Sequence, residues 1–265
     1  RPDTTLKIFE AIRKAKPPRL YVSCDGPRKG REGEAERVAR VHKITTDVDW
    51  PCEVKTLFQK KNLGCKYGVS TAITWFFQQE EQGIILEDDD LASLDFFYFC
   101  ESLLDYYRDD ERVSTITGNN FQNDKKRGDA SYYFSKYFHG WGWATWRRTW
   151  NHYDGNMSFW PQWKQSADYN NLFIDNIERK YWTKIFDKNY KSNSDSMAYP
   201  FTASIWYRSG LTVTPNVNLV TNIGFGEDGT HTNYVTHLSN IPIEPFGELT
   251  HPKSVEIDVE ADLYN

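Results

Sequence analysis

The chain has 265 residues, enough for one large α/β domain or two small ones with a substantial core. Its 32 Lys and Arg against 37 Asp and Glu leave a formal net charge of −5, which excludes a basic field over the whole surface for nucleic acid or anionic membrane and makes any electrostatic role a local one. Cys24, Cys52, Cys65 and Cys100 form no CxxC pair, so neither a zinc site nor a disulfide framework is indicated; with no membrane-length apolar run and no signal peptide, the expected location is the cytoplasm, with peripheral membrane attachment left open.

From the first residues, "PDTTLKIFEAIRKAK" reads as a helix, with Pro2 and Asp3 at its start and Leu6, Phe9 and Ile12 on one face. "RLYVSC" is a strand closed by the turn "DGPR", and "EGEAERVARVHKI" is a polar helix turning Val38 and Val41 inward. After the strand "EVKTLF", the residues Val69, Ala72, Ile73, Phe76 and Phe77 recur at helical spacing and feed into "GIIL". Asp95 can cap the next helix, which buries Phe96, Phe97, Cys100, Leu103 and Leu104, and "RVSTIT" adds a strand. Strands alternating with helices predict an α/β fold with a mostly parallel, Rossmann-like sheet flanked by helices. A single domain over residues 1–265 is expected, with a regular half to residue 118 and a looser aromatic, Gly- and Asn-rich half from 119 that shapes a substrate site.

The stretch "GIILEDDDLAS" sets Glu87, Asp88, Asp89 and Asp90 side by side where a buried strand ends. Ligands collect outside the carboxyl ends of strands in such sheets, and adjacent carboxylates repel unless a hard cation relieves them. Mg²⁺ or Mn²⁺ suits oxygen ligands and takes one or two protein carboxylates, with phosphate and water completing the shell. The other reading is a solvated acidic turn facing the positive N-terminus of the next helix. In "FHGWGWATWRR", Gly140 and Gly142 permit close backbone approach while Trp141 and Trp143 could wall a sugar pocket; a tight turn before a Trp-bearing helix is the alternative. His231 in "EDGTHT" is a second candidate ligand or a structural histidine.

"IILEDDDLASLDFF" resembles the strand, acidic motif and following helix of GT-A glycosyltransferases similar to N-acetylglucosaminyltransferase I and its bacterial relatives, and the resemblance extends in order through "VSCDGPR", "NLGC", "GWGWATWRRTW" and "TPNVNLVTNIGFGEDGTHT". It implies Asp89 as the direct metal ligand, Asp88 against the ribose of a nucleotide-sugar and Glu87 in support, with Asp90 lacking an acidic counterpart. Asp25 falls where the family reads the base, and also where a turn residue would open "DGPR". Lys66 falls where relatives contact the base, and equally where a solvated lysine would stand. Arg1 resembles the arginine that follows the first strand and reaches the nucleotide sugar. That strand should precede "RPDTT", so the sheet is expected to lack its first member and the chain to be poorly stable.

The family places its base, an aspartate, ahead of the Pro-Asn-Val segment. Counting back from Pro215 that position is Ala198, which cannot accept a proton. Asp195 in "NSDS" is the leading candidate, with Glu227 and Asp228 of "GFGEDG" as alternatives. The implied activity is metal-dependent transfer of a sugar from a nucleoside diphosphate donor, a UDP-sugar, to a glycan or glycoconjugate hydroxyl with inversion, using Mn²⁺ or Mg²⁺ and no nucleic acid. Two rivals are a non-catalytic carbohydrate-binding protein with a Ca²⁺ site and a metal-dependent phosphohydrolase.

Overall fold

A computed structural model describes residues 1–192, 194–225 and 238–265 of the chain. Helix α1 (Pro2–Ala15) begins with its proline in the first turn, where a missing N–H costs no hydrogen bond, and ends at Lys16 in the left-handed conformation. Its inward face is Thr4, Thr5, Ile8 and Phe9, whereas Leu6 is 49% exposed and Ile12 only half-buried. The stripe is rotated from the expected Leu6, Phe9 and Ile12 because the two threonine hydroxyls turn under the acidic run and approach Asp88 at 3.4 Å.

Strands β1 (Arg19–Cys24) and β2 (Glu53–Phe58) pair in parallel, joined by α2 (Glu34–Thr46). Next come α3 (Gly64–Phe77), β3 (Gln82–Ile85), β4 (Asp90–Ala92), α4 (Leu94–Tyr106) and β5 (Val113–Thr117). The aromatic half supplies β6 (Tyr132–Ser135), β7 (Trp143–Trp146), α5 (Arg147–Trp150), α6 (Trp160–Trp163), α7 (Ala167–Asn171), α8 (Asn176–Ser192), α9 (Ala198–Tyr207), β8 (Leu211–Pro215), β9 (Val220–Asn222) and α10 (Val259–Tyr264).

The fold is mixed α/β, but the mostly parallel sheet expected from the sequence is not what forms. The main sheet runs β3-β7-β5-β8-β6, with only β5 and β8 paired in parallel. Both β3 and β5 lie antiparallel to β7, so they point the same way, as their β-α-β order implies, yet β7 from the aromatic half is inserted between them. Adjacency, not direction, is where sequence order misleads. Strands β1 and β2 bond to each other in a separate sheet, and β4 pairs antiparallel with β9 in a third.

Two apolar clusters sandwich the main sheet's contacts. In one, Phe96, Phe99 and Leu103 of α4 lie on Val113, Ile116 and Val213. In the other, Ile73 and Phe77 of α3 join Trp143, Phe186, Phe201 and Trp206, most of them ring on ring. Phe99 is fully buried although the sequence pattern pointed to Phe97, which is only half-buried.

Candidate functional site

Register brings the acidic run and the turn at residues 140–143 to one end of the main sheet. Ile85 at the end of β3 and Thr117 at the end of β5 both pair with Trp143 at the start of β7. The loops that follow Ile85 and Thr117 therefore meet the loop that precedes Trp143, and the Gly118 N–H bonds the Gly142 carbonyl at 2.8 Å. Asp90 pairs with Asn222, which carries the chain past Asp89 to Gly224. There a Cβ on Gly224, just past the end of β9, would lie 1.9 Å from Asp89 Oδ2 and 2.9 Å from its Cβ, so a side chain there would displace Asp89.

The four carboxylates separate into distinct roles. Asp90 is 1% exposed; its Oδ2 accepts the N–H groups of Gly142 at 2.9 Å and Glu87 at 3.2 Å, and Asn222 Nδ2 lies 3.4 Å from its Oδ1. It is an internal tie of the site, although the resemblance gives it no acidic counterpart. Burial, then the charges of Glu87 and Asp89, push its carboxyl well above the usual range. Glu87 keeps an exposed surface, but protein atoms crowd its carboxyl group, and burial followed by Asp89 and Asp88 pushes it up to about 7. Asp89 is raised by burial and by Asp88, against a lowering hydrogen bond from Asn222. Asp88 is exposed and faces Thr4, Thr5 and the backbone nitrogen of Arg1. Arg1 also reaches the Gly224 carbonyl at 3.3 Å, so it stands beside the acidic run.

Opposite lies the N-terminus of α3. Asp25, at the end of β1, accepts the N–H groups of Leu63 at 2.8 Å and Gly64 at 3.1 Å, while Asp195 Oδ1 accepts that of Lys66 at 2.8 Å. The two carboxylates cap the first turn of α3, which leaves Asp25 engaged by backbone as a turn residue would be. Lys66 is 4% exposed, so it is not the solvated lysine the sequence allowed, and its Nζ stands 5.7 Å from the Tyr67 ring centre. Cys65, next to Lys66 in the same turn, is pushed up to about 11 by burial first and then by the charges of Glu87, Asp195 and Asp89. Nothing in the sequence gave Thr4 or Thr5 a role, and Cys65 and Asn222 lay in quoted segments without being singled out, because their relevance comes from contacts far along the chain.

Gly142 has φ +62°, and a Cβ there would meet Val220 Cγ2 at 2.8 Å, so the turn requires glycine. Gly140 has ordinary backbone and is half-exposed. Trp141 is half-buried with edge contacts to Phe121 and Phe225, forming a wall at the site. Trp143 is 1% exposed and packs on Phe138 and Phe201, so it belongs to the core and lines no surface pocket. Ala198 is the first residue of α9. Glu227, Asp228 and His231 lie outside the described residues.

As for a cation, Asp89 offers a partly buried carboxylate whose charge is disfavoured by its surroundings, a setting that a divalent ion would stabilise. Among the described residues no group of three or more His, Cys, Asp or Glu side chains forms a ready ligand set. Asp89 is thus the carboxylate here that could serve as a single protein ligand, the remaining shell of such an ion coming from phosphate and water. All four cysteines are free, and among the described residues no helix is long and apolar enough to cross a membrane. No family model matches the chain, and no curated protein matches it.

Proposed function

We propose that the chain is a metal-dependent glycosyltransferase that moves a sugar from a nucleoside diphosphate donor, a UDP-sugar, to a hydroxyl of a glycan or glycoconjugate with inversion at the anomeric carbon. The observation that carries this reading is the Glu87–Asp90 run at the end of β3, tied through Asp90 to the Gly142 turn beside Trp141, with Arg1 and its neighbours against Asp88. Asp89 would hold the cation. When bound, such an ion neutralises charge on the diphosphate leaving group.

The chain's own groups do the rest. Asp88 with Arg1 orients the ribose and sugar end of the donor, and Asp90 holds the run in register by fixing Glu87 to Gly142. Trp141, with Phe121 and Phe225 behind it, offers an aromatic face to a sugar ring. Asp195 accepts the proton of the acceptor hydroxyl as its oxygen bonds the anomeric carbon; the bond from that carbon to the diphosphate breaks, and the diphosphate leaves with the electron pair.

Calorimetric titration of UDP with and without Mn²⁺ tests this. Metal-dependent UDP binding, weakened at least about tenfold in Asp89→Asn, is the expected result, ~1.4 kcal/mol for a lost charge-assisted ligand. Absence of metal-dependent nucleotide binding overturns the reading; sugar binding with Ca²⁺ alone, or phosphate release from simple esters, would point to the two rivals.

A further inference from the structure

Away from that end of the sheet, α8 presents a face that the proposed transfer reaction does not use. Its buried side carries Trp182, Ile185 and Phe186, packed on Trp206 of α9. At 100° per residue, Ile177, Lys180, Tyr181, Lys184 and Lys191 share one arc of the opposite, outward side. Ile177 is 81% and Tyr181 60% exposed, and Ile174 just ahead of the helix is 53% exposed. Such surface on three large apolar side chains at one helix end is not explained by packing within the fold.

Beside this arc, between α7 and α8, opens a recess of about 450 Å³ lined by Lys164, Arg179, Lys180, Lys184 and Asp187 among others. Four cations face one carboxylate, and that carboxylate is paired with Lys164 at 2.7 Å. Of the other acidic groups near the helix, Glu178 is paired with Lys136 at 2.7 Å, Asp175 accepts the backbone N–H groups of Ile177 and Glu178 while staying exposed, and Asp168 of α7 is exposed; with Lys188 and Lys191 on the outer side of α8, the cations of this face still outnumber its carboxylates. The local field is positive on a chain whose formal net charge is −5, so this face would be turned toward an anionic surface while the rest of the molecule is repelled.

We propose that the α7–α8 face docks on an anionic lipid surface, with headgroup phosphate at the mouth of the basic recess and Ile174, Ile177 and Tyr181 entering the boundary between headgroups and acyl chains. A soluble polyanion would be served by the cations alone. Exposed Ile and Tyr beside lysines are the pairing that an interfacial helix uses. This inference is independent of the transfer reaction and is read by binding, not by activity.

The test is co-sedimentation of the full chain with phosphatidylcholine vesicles and with vesicles containing roughly 30% phosphatidylserine, at low and high salt. Binding only to the anionic vesicles and weakened by salt is expected. The Lys180→Gln/Lys184→Gln double variant should bind about 25-fold more weakly, at about fivefold for each cation removed. Ile177→Ser/Tyr181→Ser should lose about tenfold, through apolar surface withheld from the interface. All four side chains reach the surface, and an unchanged circular dichroism melt confirms that each variant folds. Equal binding to both vesicle types overturns the proposal. So does full vesicle binding by Ile177→Ser/Tyr181→Ser, which would indicate a purely electrostatic polyanion site, or complete displacement from vesicles by inorganic phosphate, which would indicate a site for the free ion.

Discussion

Asp195 combines two roles that a single substitution can separate. As a cap it accepts the Lys66 N–H at 2.8 Å; as a proposed base it must be ionised. Asparagine keeps an acceptor oxygen for the cap and cannot take the acceptor's proton. Asp195→Asn is therefore expected to lower turnover by roughly two to four decades while UDP affinity and melting temperature stay the same. Unchanged turnover removes Asp195 from the mechanism, and a large gain in Ala198→Asp would show that the base position at the start of α9 is the one that matters. Gly142 is the second residue-scale test. With φ +62° and Val220 2.8 Å from where a Cβ would stand, Gly142→Ala is expected to cost about 1–3 kcal/mol in urea denaturation, and to loosen Asp90 by moving the N–H it accepts. The adjacency of four carboxylates was legible in the sequence. Their division of labour was not, because Asp90 is claimed by a backbone N–H 52 positions away and Asp88 by threonines more than 80 positions earlier.

At the scale of elements, α4 shows how a local rule can pick the right helix and the wrong cap. Asp95 was the expected cap, but Ser93 takes that position, with extended backbone and Oγ accepting the Phe96 N–H at 3.2 Å. Asp95 sits in the first turn, where its charge suits the helix dipole, and accepts the Phe246 N–H at 3.2 Å. Ser93→Ala is expected to cost about 1 kcal/mol by urea denaturation, since it strands a helix donor directly behind the acidic run. The elements named from periodicity up to residue 118 all form, with ends displaced by a few residues. For α1, α3 and α4 the apolar spacing that marks the helix is contained within the segment itself, as Ile8 and Phe9, Ile73 and Phe77, and Phe96, Phe99 and Leu103 show by being buried. Strand neighbours are another matter: Ile84 pairs with Ala144, and no local pattern says that β7 will enter between β3 and β5.

For the whole molecule, the C-terminal helix closes onto the sheet through several contacts, Gln122 to the Ala261 carbonyl and Asp258 N–H to the Phe134 carbonyl among them, and through one buried carboxyl group. Asp262 of α10 accepts Ser135 Oγ and the Lys136 N–H, and burial, against those lowering bonds, pushes it up to about 6. In the unfolded chain it would lose its proton near pH 4, so between about pH 4 and pH 6 the folded state binds more protons and stability falls as pH rises, by about 3 kcal/mol across the window. Asp262→Asn is neutral at every pH and should flatten this component; urea denaturation of both proteins at pH 4, 5 and 6 measures the difference. An equal slope in the two proteins would show that Asp262 does not carry it. The sequence alone determined that this is an α/β chain with helices one-sided in their apolar residues and a concentration of negative charge at a strand end, since periodicity and composition are properties of short segments. Only the tertiary structure decided that the sheet is mixed, that Trp143 is core while Trp141 stands at the site, that Lys66 is buried, and that Asp195 and Asp25 cap the same helix. Each of these depends on pairings between distant residues, set by which backbone N–H groups and apolar faces find partners when the whole chain packs.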